Sequence, residues 1–165
     1  MNPIVLLKDL SILKGNRTVL DVGTKDGAIA KRFADLGVDV DTIDIHPLPE
    51  PIEGVNFEQI GVDEFLEKND KHYDIVVCRH VLHLLPNPKE VIEKLNEIAG
   101  IFFFTCFGPQ DDWADRVSIL EHDEVLEMFP KETVRHRSEA FQYGTTYAGD
   151  TKFWHINTFV IKNTQ

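Results

Sequence analysis

Two aspartates, a glycine-bearing turn and a pair of histidines are the residues of this chain whose types and spacing suit chemistry. Asp21 stands near the end of a short apolar run, Val19-Leu20-Asp21-Val22, and Gly23, Thr24, Lys25 and Gly27 follow it. Such a turn lets backbone N–H groups and a helix start come close to a ligand, because glycine carries no Cβ and accepts positive φ. Asp44 stands 23 positions after Asp21, at the end of a second run, Val38 to Asp44. An acidic residue about twenty positions beyond a glycine turn is placed to accept hydrogen bonds from a ribose. His80 and His83 come just after a third run, Tyr73 to Arg79. A histidine titrates near neutral pH, so either could take a proton from a nucleophile, or pack at the top of a sheet with a ring nitrogen on backbone. As a metal pair, H-x-x-H alone is a weak signal, even with Cys78 or His122 added, and no metal is expected.

These residues need elements that bring them together. Thr18 to Val22 reads as a buried strand, followed by an amphipathic helix with Ile29, Phe33 and Leu36 on one face and Gly37 as its C-terminal cap. Before it, Asn2-Pro3 opens a short helix with Leu6, Leu7 and Leu10 on its apolar face, ended by a turn at Lys14 to Arg17. After Asp44 the proline-rich stretch His46 to Pro51 is a loop. Val55 to Ile60 is a weaker, more polar strand suited to a sheet edge, and Asp63 is expected to cap a helix over Glu64 to Lys68. Tyr73 to Arg79 is a strand. Asn87-Pro88 opens a helix that buries Val91, Ile92, Leu95 and Ile98 and ends at Gly100. Ile101 to Phe107 is apolar on both faces and reads as fully buried.

Beyond Gly108-Pro109, Gln110 to Arg116 reads as an exposed loop in which Trp113 is either a lid residue or a locally packed aromatic. A helix over Asp123 to Phe129 and a strand over Thr133 to Phe141 follow, then a polar loop over Tyr143 to Lys152. The last strand, Phe153 to Ile161, is apolar on both faces and is expected inside the sheet rather than at its edge. Helices between strands imply a parallel sheet covered on both faces. The final two strands, with no helix between them, suit an antiparallel pair. In such a sheet ligands bind at the carboxyl ends of the strands, where Asp21, Gly23, Thr24, Asp44, Gly61, Val62, Cys78, Arg79, His80, His83 and the stretch Thr105 to Gly108 stand.

Composition narrows the partners. The 165 residues imply one domain over 1–165 with enough length for a real core. Seventeen basic against 28 acidic residues give a net charge of −11, which argues against a nucleic-acid partner. Arg135, His136 and Arg137 form the one compact basic group and read as a solvated strand edge. No signal peptide or apolar run of membrane-spanning length is legible, and Cys78 and Cys106 form no CxxC, so free thiols in a reducing cytoplasm are expected.

Two ribose-binding ligands compete. A nicotinamide fingerprint needs glycines at 23, 25 and 28, and the chain has Gly23, Lys25 and Ala28. The stretch Asp21-Val22-Gly23-Thr24-Lys25-Asp26-Gly27 instead resembles motif I, D-x-G-x-G-x-G, of the class I S-adenosylmethionine-dependent methyltransferases, with lysine at the middle glycine. Asp44, the stretch YDIVVCRHVLHLLPNPKEVIEKLNEI and the closing strand pair are similar to the same family in the same order, over roughly residues 18–161. The resemblance implies a Rossmann-like three-layer α/β sandwich whose seven-stranded, mostly parallel sheet has its last strand antiparallel. It implies S-adenosylmethionine as cofactor. Asp21, Gly23 and Gly27 would surround its methionyl part, with Thr24 and Lys25 among the binding residues. Asp44 would hold the ribose hydroxyls, Ile45 would lie against adenine, Gly61 and Val62 would take the adenine edge, and the backbone at Cys78 would face the amino group. His80 and His83 are the candidate catalytic pair. No N-P-P-Y-like tetrad follows the fourth strand, which with the acidic charge disfavours DNA as substrate. The preferred reading is methyl transfer to a small-molecule acceptor, the rival a non-catalytic interaction or regulatory protein of the same fold.

Overall fold

The computed structural model describes residues 2–9, 17–109, 116–145, 149 and 151–163. Leu10, the turn at Lys14 to Asn16, and Trp113 with its loop lie outside the described residues, as does part of the stretch 143–152. Seven strands make one sheet: β1 (Thr18–Val22), β2 (Asp39–Asp44), β3 (Val55–Gln59), β4 (Tyr73–Cys78), β5 (Ala99–Phe107), β6 (Val134–Thr145) and β7 (Thr151–Lys162). Their spatial order is β3-β2-β1-β4-β5-β7-β6. β3 through β5 pair in parallel, while β7 runs antiparallel to both β5 and β6. The two-sided apolar β7 sits inside the sheet, as its pattern requires, and the polar β3 lies at one edge.

Alternation within each strand builds the two cores. Val19, Ile75, Val77, Ile101, Phe103 and Val160 face one side, where they meet Leu7 of α1 (Pro3–Asp9) and Ala30 and Phe33 of α2 (Ala28–Ala34). Leu20, Val76, Phe102, Phe104 and Phe159 face the other. There they meet Phe65 of α3 (Val62–Lys68), Val91, Ile92 and Leu95 of α4 (Pro88–Glu97), and Val125 of α5 (His122–Glu127). Period-two strands between period-3.6 helices give three layers. α1 starts as its sequence dictates, with the Asn2 side chain accepting the Ile4 N–H at 3.0 Å ahead of Pro3.

Several boundaries differ from the sequence expectation. α2 ends at Ala34, and Leu36 lies beyond it, 45% exposed. The chain turns there through Gly37, whose φ is 76°. Asp63 does not cap α3; it sits in the first turn, and Gly61 holds the cap position without a side-chain bond. Gly100 does not end α4 but lies in β5, where a Cβ would stand 3.1 Å from the Asp74 carbonyl oxygen. A side chain there would crowd the neighbouring strand, which would have to give by a few tenths of an ångström. The expected polar loop from Tyr143 is instead the end of β6, with β7 already begun at Thr151. Cross-strand rings hold this extension together: Phe141 stacks on His155 at 4.4 Å and Tyr143 meets Phe153 at 5.3 Å. β7 pairs with Phe107 at Ile156, so residues 151–155 run past the end of β5.

Candidate functional site

Crossovers on either side of β1 leave a crevice at the carboxyl ends of β1, β2 and β4. A cavity of about 900 Å³ opens there, within the range of small-molecule sites. Its wall includes Asp21, Gly23, Thr24, Lys25, Asp44, Ile45, Gly61, Val62 and His80, nine of the twelve residues singled out from the sequence. Gly27, Cys78 and His83 do not line it.

The turn after β1 is a run of left-handed backbone. Gly23, Lys25 and Gly27 have φ of 71°, 57° and 75°. At Gly23 the reason is double: φ is positive, and a Cβ would fall 2.1 Å from Val81 Cγ2. At Gly27 a Cβ would meet Ile52 Cδ1 at 2.1 Å, so this glycine packs against the proline-rich loop instead of the cavity. Lys25 is tolerated because its conformation is held from outside: its N–H donates to Asp44 Oδ2 at 2.8 Å. Asp44 Oδ1 accepts the His46 N–H at 2.9 Å. One carboxylate thus ties the β1 turn to the loop after β2, and each oxygen keeps a lone pair for another donor.

Asp21 is 3% exposed. Burial pushes its carboxyl up to about 6, against the Thr24 hydroxyl, which donates to Oδ2 at 2.8 Å, and the opposite charge of Arg79. Its carbonyl accepts the Thr42 hydroxyl at 2.8 Å, fastening β1 to β2. Ile45 is 65% exposed at the rim. Gly61 has ordinary extended backbone, and a Cβ there would only touch Ile45, so nothing local demands glycine.

The β4 end is built differently. Cys78 is fully buried, and burial holds its thiol well above the usual range, so it is protonated and inert. His80 has φ of 55°, an uncommon conformation for a residue with a side chain. Its N–H donates to Thr105 Oγ1 at 3.0 Å, and its ring stacks on Phe107 at 5.4 Å. Burial, then the charge of Arg79, lowers its pKa to about 3. His83 lies against the same Phe107 at 4.3 Å, and burial lowers it to about 4. Its carbonyl accepts the N–H groups of Val117 and Ser118, at 2.7 and 3.1 Å, and so anchors the segment that leads to α5. Both imidazoles are neutral at pH 7, and only His80 reaches the cavity. Among the described residues, no three histidine, cysteine or acidic side chains gather as a metal-binding group.

Sequence reasoning placed Arg79 at the β4 end but gave it no task, and gave Arg32, Leu84 and Leu85 no part in a site; all four line the cavity, as does Asn2, which was read only as a helix cap. Arg32 could have been found from its place one helical turn beyond Ile29.

A methyltransferase-domain family profile matches residues 5–146. A ubiquinone biosynthesis O-methyltransferase of Acinetobacter baumannii (strain AYE) is 27% identical over 130 residues, covering 71% of this chain and 54% of that protein. Its namesake from Hydrogenovibrio crunogenus is 28% identical over 134 residues, covering 73% and 55%. The chain spans about half the length of the curated relatives it matches. Among solved structures, TehB from Haemophilus influenzae is similar in fold with a TM-score of 0.75 at 14% identity, covering 97% of this chain and 62% of that one. A putative methyltransferase from Bacillus halodurans gives 0.73 at 17% identity, covering 99% and 100%.

Proposed function

The chain belongs to the methyltransferase-domain family, class I and S-adenosylmethionine-dependent, and from that premise we propose that it transfers a methyl group from S-adenosylmethionine to a small-molecule acceptor. The observation that carries the proposal is the Asp44 carboxylate, fixed by two backbone N–H groups on the wall of a cavity whose floor is the left-handed Gly23 turn. The residues suit the cofactor. Asp44 keeps free lone pairs for the two ribose hydroxyls, Ile45 offers an exposed apolar face to adenine with Gly61 and Val62 at its edge, and Gly23 keeps the turn clear of side-chain bulk. Asp21 and Thr24 stand at the methionyl end, with Lys25 able to meet a carboxylate there. Gly27 acts indirectly, by holding the start of α2, and Cys78 offers backbone alone.

When bound, the cofactor supplies an electrophilic methyl group on a sulfonium. Transfer is an in-line displacement, so the protein's work is to align the acceptor and keep water out. The apolar side chains Val81, Leu84 and Leu85 line that part of the wall. His80 is neutral and can accept the acceptor's proton, though its low pKa makes it a weak base until the local charge changes. His83 supports it through the shared contact with Phe107. The ubiquinone-biosynthesis relatives favour a hydroxyl oxygen as the methylated atom. The acidic net charge favours an acceptor other than a nucleic acid. Among the described residues no helix is long and apolar enough to cross a membrane.

The test is turnover of tritiated S-adenosylmethionine with a panel of phenols, catechols and acids. The expected result is label transfer to at least one small molecule, with His80→Ala lowering kcat by ~10²–10⁴-fold while KM for the cofactor stays within about threefold. Cofactor binding without transfer to any acceptor would favour the non-catalytic alternative.

A further inference from the structure

Within the site assigned above, and resting on that assignment, the polar groups of the wall are unevenly engaged. Its carboxylates already have donors. Asp21 accepts from Thr24, Asp44 from two N–H groups, Asp26 from the Ala28 N–H at 3.1 Å, and Asp63 from Asn87 Nδ2 at 3.3 Å. Among the described residues its guanidinium groups have no carboxylate partner. Among the described residues Arg79 comes within hydrogen-bond range only of His80 Nε2, at 3.5 Å, and its Nε is sealed from solvent without a partner. Arg32, on α2, lines the same cavity, and its positive charge bears on Arg79. A half-buried guanidinium with a second cation near it and no ion-paired carboxylate is costly unless a ligand supplies the anion. Among the described residues Asp21 is the acid whose charge acts on it favourably, and burial draws Asp21 itself toward neutrality.

We propose that Arg79, which shares the cavity wall with Arg32, is the specificity-determining contact for a carboxylate carried by the acceptor, so that the substrate is a small organic acid with an apolar body. The planar fork of arginine matches a carboxylate with two parallel hydrogen bonds. Its contact with the His80 ring puts this anchor at the acceptor end of the cavity. Val81, Leu84 and Leu85 provide the surface for the apolar body. The arrangement also couples binding to chemistry. Arg79 is the largest Coulombic contributor to the low pKa of His80, so an anion that neutralises Arg79 makes His80 a better base.

The carboxylate on Arg79 has two possible sources, acceptor and cofactor, and the experiment separates them. S-adenosylhomocysteine is first titrated into wild type, Arg79→Gln and Arg79→Lys. Benzoate and its neutral isostere benzamide are then titrated into each loaded protein. The expected result is at least tenfold tighter binding of benzoate than benzamide to wild type, no difference in Arg79→Gln, a partial difference in Arg79→Lys, and S-adenosylhomocysteine affinity within threefold throughout. Equal binding of benzoate and benzamide by wild type overturns the proposal, and this arm needs no variant to fold. A tenfold or greater loss of S-adenosylhomocysteine affinity in Arg79→Gln also overturns it, by giving Arg79 to the cofactor. A wild type that binds no S-adenosylhomocysteine fails at the first titration and overturns the methyltransferase reading itself.

Discussion

At the β1–β2 end of the cavity, polar side chains hold the protein's own backbone; at the β4 end, among the described residues, the half-buried Arg79 has only the His80 ring nitrogen within hydrogen-bond range. Asp44 accepts from Lys25 and His46, Asp21 from Thr24, and Thr42 donates to the Asp21 carbonyl. The result is a rigid cradle whose shape is settled before any ligand arrives. Across the cavity His80 is held in a left-handed conformation by one bond to Thr105, and Arg79 has no carboxylate partner among the described residues. A preorganised cradle suits a cofactor that is the same in every turnover. Unsatisfied donors and backbone strain suit a substrate end, where the ligand completes the hydrogen bonding.

The largest expected effect comes from removing the cradle's bare backbone. Gly23→Val puts a β-branched residue at φ 71° and drives its Cβ into Val81. The left-handed conformation and the overpacking together should cost about 3–5 kcal/mol in urea unfolding at pH 7. A loss below about 1 kcal/mol would mean that the turn is not rigid. Val81 belongs to the other end, so a second substitution, Val81→Ala, should recover part of the loss.

Next in size is a pH effect that separates the two ends. Asp21 has a folded pKa of about 6 against an ordinary value of 3.8, so its ionisation opposes folding. Its contribution is fully favourable below pH ~4 and is lost as pH rises through 6. A shift of this size corresponds to about 3 kcal/mol at most. Asp21→Asn should therefore be more stable than wild type at pH 8 and nearly equal to it at pH 4. The β4 end has the opposite sign. His80 and His83 are lowered to about 3 and 4, so their contribution is present above pH ~6.5 and is lost as pH falls toward those values. Asp21→Asn should keep that acid limb intact. A difference between the two proteins that does not grow from pH 4 to pH 8 would contradict the burial of Asp21.

Much of the cradle was legible in the sequence because it depends on residue types at fixed spacing. Asp21, Gly23 and Asp44 each answer a local demand that a reader can state: a strand end, a positive φ, an acceptor across from the turn. The seven-stranded sheet was legible for a similar reason, since two-sided apolar runs such as Ile101 to Phe107 and Phe153 to Ile161 have few places to go. Gly100 misled because helix ends and strand interiors both use glycine, and only the neighbouring Asp74 carbonyl decides between them. The polar stretch from Tyr143 misled because its strand is held by ring pairs across the hairpin, which spacing within one strand does not reveal. The β4 end was half visible. His80 and His83 both lie against Phe107, yet His80 also lines the cavity while His83, inside the single turn of 3-10 helix over Leu82–Leu84, does not. Arg79 gained meaning only when the carboxylates around it proved to be occupied.

The smallest expected effect is at Lys25, where the chain departs from the glycine of motif I. Its left-handed conformation is already supported by the bond to Asp44. Lys25→Gly should relieve up to about 1 kcal/mol of backbone strain and change S-adenosylhomocysteine affinity by less than about tenfold, or 1.4 kcal/mol. A gain far beyond tenfold would show that the lysine obstructs the cradle, and a loss far beyond tenfold that it is a principal ligand contact.

The central claim, a preformed cradle for S-adenosylmethionine, is tested most directly by calorimetric titration of the unmodified protein with S-adenosylhomocysteine and, separately, with a nicotinamide dinucleotide. The account predicts saturable heat at one site with the first and none with the second. No heat from S-adenosylhomocysteine at millimolar concentration, or saturable binding of the dinucleotide in its place, would contradict it.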